Sequence, residues 1–202
     1  MTTFYRLSSD SEKRIKKSRR HIRLFQNIRK LEKEGRFSEE KKAIQHGSTT
    51  VYAHSVNVAR LSSFLADHLP LKVHQQSLVR GALLHDYFLY DWHHKDECPS
   101  RWHGFTHPGC AAENAERDFR LNDVEKDIIR HHMFPLTLSP PKTKEGWIVC
   151  IADKICAVQE TAGPMVGKAQ KSGAAAGKWA GKSASRLWHA AKRAAARHTA
   201  KD

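Results

Sequence analysis

No stretch of this chain approaches 18 consecutive apolar residues, which excludes a membrane-spanning helix. Met1 to Lys33 is polar and charged and holds no apolar run of the kind a secretory signal needs, so none is expected. Cysteine is scarce: Cys98, Cys110, Cys150 and Cys156 are the only four, and no two form a Cys-x-x-Cys pair. That excludes a paired-cysteine zinc or redox motif. Without a secretory signal, they read as reduced thiols of a cytoplasmic protein, some packing as small hydrophobes. Acid is almost missing from the two ends. Residues 1–37 carry 12 Lys and Arg against 4 Asp and Glu, +8, and residues 161–202 carry 9 against Asp202 alone, again +8. The net charge of +14 therefore belongs to the ends, and 38–160 comes to −2.

Histidine is abundant instead. Eleven of the 14 histidines lie within 38–160, an enrichment that points to metal or acid–base chemistry there. The division predicts a basic N-terminal helical extension (1–37), a central domain (38–160) and an Ala/Gly/Lys-rich tail (161–202). The tail is low-complexity, with a helix expected over 185–198. Its basic composition suits electrostatic, sequence-independent contact with nucleic acid or a membrane surface, or simple solubility.

Apolar spacing predicts helices throughout. A basic amphipathic helix over 11–34 places Ile15, Ile22, Phe25, Ile28 and Leu31 among lysines and arginines. Ser48, Thr49 and Thr50 offer caps for a helix over 51–69, where Val51, Val58, Leu61 and Leu65 form a stripe that contains His54. Pro70 ends it. The next helix is expected from Val73 to Phe88, with His85 and Asp86 flanking its apolar face. Thr106, His107 and Pro108 open another, with Ala111, Ala112, Ala115 and Phe119 inside. A helix over 122–133 places His132 roughly 25° and His131 roughly 75° from the centre of its apolar face. The helix over 145–160 is apolar almost all round, and Asp153 interrupts it. Lys154 is a poor partner for Asp153, because neighbours in sequence do not face each other on a helix.

A lone histidine on an apolar face is more often packed than ligating. Six inward positions together, His54, His85, Asp86, His107, His132 and Asp153, make a metal site the better reading. Helical bundles build such sites from facing side chains. Imidazole and carboxylate donors suit divalent Fe or Mn first, with Zn, Co, Mg or Ni possible. Four donors would hold one ion; six suit two.

The order His54, His85-Asp86, His107, His132, Asp153 resembles the HD-domain superfamily of metal-dependent phosphohydrolases. The local wording is similar too: Val51-Tyr52-Ala53-His54, Ala82-Leu83-Leu84-His85-Asp86, His107-Pro108, Ile129-Arg130-His131-His132 and Ile151-Ala152-Asp153-Lys154-Ile155. His107 and His132 resemble the added ligands of binuclear members, including bacterial HD-domain diadenosine-tetraphosphate hydrolases. The resemblance implies an all-α helical bundle over about 46–160. It implies a first ion on His54, His85, Asp86 and Asp153, a bridging Asp86, and a second ion completed by His107 and His132. Many cyclic-dinucleotide phosphodiesterases of the superfamily carry a lysine three residues after the aspartate. Leu89 stands there, and the Gly-Tyr-Pro signature is absent, which argues against that subclass. The expected activity is hydrolysis of a nucleotide or other phosphate ester by metal-activated water, with Asp86 at its centre. Lys95, Arg101, His103 and His131 are the nearest candidates for phosphate or leaving-group contacts. The competing reading is a non-catalytic metal- or nucleotide-binding regulatory module whose basic ends contact nucleic acid.

Overall fold

A computed structural model describes residues 9–90 and 103–169. Among them, six α-helices carry nearly all the regular structure. These are α1 (Ser9–Glu34), α2 (Val51–His68), α3 (Gln75–Leu84), α4 (His103–Phe119), α5 (Asp123–His131) and α6 (Lys144–Ala169). Lys95 and Arg101 lie outside the described residues, as does the tail helix expected over 185–198. No helix among the described residues is long and apolar enough to cross a membrane.

The inner stripe of α1 is Leu24, Asn27, Ile28 and Leu31, while Ile15, Ile22 and Phe25 face solvent. Of the five apolar positions of the expected amphipathic helix, Ile28 and Leu31 are thus inside. The stripe follows the three-to-four residue step from Leu24, and Ile22 and Phe25 fall off it. Arg20 bonds Asp67 of α2, and Arg23 bonds Gln75 at the start of α3, fixing the helix along the bundle.

A feature without a sequence signal precedes α2. Ile44–His46 (β1) and Thr49–Thr50 (β2) form a small antiparallel hairpin around Gly47, whose φ of 60° suits glycine. Thr50 then caps α2 by accepting from the Ala53 N–H at 3.2 Å.

Helix α3 is shorter than expected. It stops at Leu84, so His85 and Asp86 lie in the turn beyond it and not within a helix reaching Phe88. Leu89 takes a left-handed φ of 62°, which a continuing helix forbids. The turn is clamped on both sides. Tyr87 accepts from the Arg36 N–H and donates to Asp118, and Asn114 donates to the Phe88 carbonyl at 3.0 Å. Helix α3 meets α5 closely at Gly81, where a Cβ would stand 2.5 Å from Ile128 Cδ1. Two other ends also move. Helix α4 begins at His103, which puts Pro108 inside the helix, and α6 runs to Ala169, past the expected Glu160. Helix α5 opens on a capping box of Asn122 and Glu125.

The buried Asp127 carboxylate joins α5 to α6. It accepts from the Lys142 N–H, from the Thr143 N–H at 2.8 Å and hydroxyl at 2.6 Å, and it meets His131 Nδ1 at 2.8 Å. Burial works against its charge, but the Thr143 and Lys142 donors win and hold the carboxyl below its ordinary value of 3.8. A lowered folded value means that the ionised group stabilises the fold at neutral pH. That contribution fades as pH falls below the ordinary aspartate range. Asp127→Asn is expected to cost about 1–3 kcal/mol at pH 7. In thermal melts the gap from the parent should narrow below about pH 4; a gap independent of pH would show that the charge contributes nothing.

Candidate metal centre

Five elements point a donor at one buried place: α2 (His54), the turn after α3 (His85 and Asp86), α4 (His107), the end of α5 (His132) and α6 (Asp153). His54 and His85 are fully buried, and Asp153 is the most exposed at only 8%. The sequence pattern explains the convergence. Each donor sits among apolar neighbours on its helix, or at the helix end where the chain turns inward, so burying the apolar face carries the donor with it.

The donors form two clusters that share Asp86. His54 Nε2 lies 3.0 Å from Asp153 Oδ1, and His85 Nε2 lies 3.7 Å from the same oxygen. Asp86 Oδ2 is 3.8 Å from His54 Nε2 and 3.4 Å from His85 Nε2. Asp86 Oδ1 is 3.3 Å from His107 Nε2 and 3.4 Å from His132 Nε2. Two metal–donor bonds of roughly 2.1 Å each span separations of this size. Two trios, His54–His85–Asp153 and His85–Asp86–His132, hold their donor atoms within 4.8 Å of one another.

The backbone carbonyls fix which way the rings are set. His85 Nδ1 donates to the Ala82 carbonyl at 2.9 Å and His132 Nδ1 to the Ile129 carbonyl at 2.8 Å, an assignment made from these acceptors. Both rings therefore aim an Nε2 lone pair inward. His54 Nδ1 meets Glu160 Oε2 at 2.8 Å, the carboxylate–histidine arrangement that orients a ligand ring. His107 Nε2 and His132 Nε2 face each other at 2.9 Å, a separation at which they can share a single proton. Among the described residues, His85 Nε2 and Asp86 Oδ1 are buried with no hydrogen-bond partner. Orphaned acceptors in a closed site fit a cation.

The electrostatics agree for the two carboxylates, while His54 and His85 are both shifted upward and would each have to release a proton to bind metal. Burial disfavours charge on Asp86, yet the His85 field and the flanking His107 and His132 hold its carboxyl well below the usual range. Asp153 is held down in the same way by His54 and His85. His54 is pushed up to about 10, because Asp153 and Glu160 outweigh its burial. His132 falls to about 4, burial being the main cause and the nearby imidazoles adding to it. The carboxylates are thus already ionised, as metal ligands must be.

The site also contains residues that sequence reading missed. Gln45 donates to Asp86 Oδ2 at 2.6 Å from the hairpin. Glu40 is buried beside Asp86 and Ser55; burial and the Asp86 charge push its carboxyl well above the usual range. Glu160 and Asn57 form a hydrogen-bonded pair behind His54. The available signal was weak: one acid at the end of an apolar helix, and a glutamine in a polar segment. Lys154 departs from expectation. Its Nζ reaches Asp153 Oδ2 at 3.3 Å while donating to the His132 carbonyl at 2.6 Å, because a long side chain can fold back where a short one cannot. His131 is half-buried, with Nδ1 taken by Asp127.

A helical bundle that closes four imidazoles and two carboxylates around one buried point belongs to the class of α-helical domains equipped to hold divalent metal. The family model of the HD domain matches residues 51–158, more than half of the chain, and the chain belongs to the HD-domain family. Neither the curated protein sequences nor the solved structures yielded a match. HD domains are typical of metal-dependent phosphohydrolases.

Proposed function

We propose that the protein is a binuclear HD-type phosphohydrolase acting on a nucleotide or another phosphate ester. The observation that carries this reading is the position of Asp86, with one oxygen toward His54 and His85 and the other toward His107 and His132. His54, His85, Asp86 and Asp153 would hold the first ion; Asp86, His107 and His132 would hold the second. Bound divalent ions lower the pKa of coordinated water and neutralise charge on a phosphoryl group. The chain's own part is positioning. The Ala82 and Ile129 carbonyls and Glu160 fix three rings, Gln45 fixes Asp86, and the surrounding core excludes bulk water. Fe or Mn suits this nitrogen and oxygen donor set best, with Zn, Co, Mg and Ni as alternatives. Lys95, Arg101 and His131 are proposed to contact the phosphate or the leaving group. The added histidines keep the similarity to diadenosine-tetraphosphate hydrolases as the first substrate lead.

A second reading is a non-catalytic module that binds metal or a nucleotide and meets nucleic acid through its basic ends. The exposed Lys and Arg face of α1 favours it. One screen separates the two. Metal content is measured, and mononucleotides, dinucleoside polyphosphates and generic phosphate esters are offered with Mn or Fe. Hydrolysis of at least one class is expected; full metal loading with no turnover on any of them would leave the regulatory reading.

A further inference from the structure

We propose a second ligand site behind His54, in a groove of 650 Å³ between α1, α2 and α6, for a phosphorylated ring compound of nucleotide size. The helical step along α1 lines one wall with Lys17, His21 and Leu24, and the step along α2 lines the other with Arg60, Leu61 and Phe64. None of the six donors of the metal centre lines the groove. Its volume lies inside the range of roughly 300–1,000 Å³ for small-molecule sites.

The wall chemistry selects the ligand. Lys17 and Arg60 are exposed, and no carboxylate pairs with either among the described residues. Arg20 is already neutralised by Asp67 and stands 5.6 Å from the Phe64 ring centre. The acid in the wall, Glu160, is committed to His54 and Asn57. Among the described residues, two cations without a carboxylate partner thus line the groove together with Phe64, which is 44% exposed, and half-buried Leu24 and Leu61. Phosphate matches the cations, and a planar ring matches the exposed part of Phe64, whose ring already packs on His68 with centroids 4.1 Å apart. Neither residues 1–8 nor residues 170–202 are suited to supply such an anion. Residues 1–8 contain Arg6 and no acid, and residues 170–202 contain Asp202 as their one acid. Like charge therefore disfavours self-occupancy.

The test is calorimetric titration of the full chain, after chelator treatment, with ADP and with inorganic phosphate. ADP should bind one to one and more tightly than phosphate. Lys17→Glu and Arg60→Glu should each weaken ADP by about tenfold, the factor that corresponds to 1.4 kcal/mol. Phe64→Ala should weaken ADP while leaving phosphate unchanged. Lys33→Glu, which makes the same charge change outside the groove, should have no effect, and neither should Asp86→Asn. Circular dichroism confirms that the surface variants fold. Four results would each overturn the site. They are no ADP binding, binding indifferent to Lys17 and Arg60, equal weakening by Lys33→Glu, and loss of binding in Asp86→Asn, which would move the ligand to the metal centre. Equal affinity for ADP and phosphate would overturn the ring assignment.

Discussion

Asp86→Asn is expected to yield a folded protein that purifies without its full metal complement and loses turnover by roughly 10³-fold or more. The size follows from two facts. Metal assistance contributes several kcal/mol to phosphoryl chemistry, and each 1.36 kcal/mol is about a factor of ten in rate. Asp86 is the choice because one of its oxygens faces His54 and His85 and the other faces His107 and His132, so its charge is shared by both clusters. Asparagine keeps the shape and can still accept from Gln45 Nε2, so the 2.6 Å contact that positions the side chain survives while the charge is lost. Alanine would also leave a void beside four imidazoles, mixing a packing cost into the result. Metal is read by elemental analysis, and turnover on whichever phosphate compound the screen identifies. A variant with normal metal content and near-parental turnover would remove Asp86 from the mechanism.

The fold and the donors differ in how legible they are. Helix type followed from apolar spacing, and the all-α class needed nothing more. His54 and Asp153 sit within apolar stripes of long helices, where the 100° step fixes direction over several turns. The same step separated His132, now buried, from His131, now turned onto Asp127. Helix ends were less legible. Nothing local marks Leu84 as the last residue of α3, because the stop depends on the left-handed Leu89 and on clamps from Arg36, Asn114 and Asp118, distant in sequence. Gln45 and Glu160 were illegible for a related reason. Each supports a donor from another element, and periodicity within one element carries no information about that partnership. The groove behind His54 needed three helices in place before it existed at all.

Metal removal should lower the melting temperature of the parent, and the shift should vanish in Asp86→Asn. The bundle converges on a place that is poorly satisfied by protein groups alone. Among the described residues, His85 Nε2 and Asp86 Oδ1 have no hydrogen-bond partner. Those costs fall on the α3 turn, and a cation that relieves them would also meet His107 of α4 and His132 at the end of α5, tying three elements together. A ligand that binds only the folded chain stabilises it by about 2.7 kcal/mol at one hundred times its dissociation constant. At roughly 2–4 °C per kcal/mol for a chain of this size, that corresponds to a Tm shift of about 5–10 °C. The measurement is a melt of chelator-treated protein with and without added Mn or Fe. Added metal should recover the shift in the parent and do nothing for Asp86→Asn. This readout does not depend on knowing the substrate, so it separates a site that holds metal from a site that also turns over. An equal rise in Tm for the parent and Asp86→Asn would place the stabilising metal somewhere other than this centre.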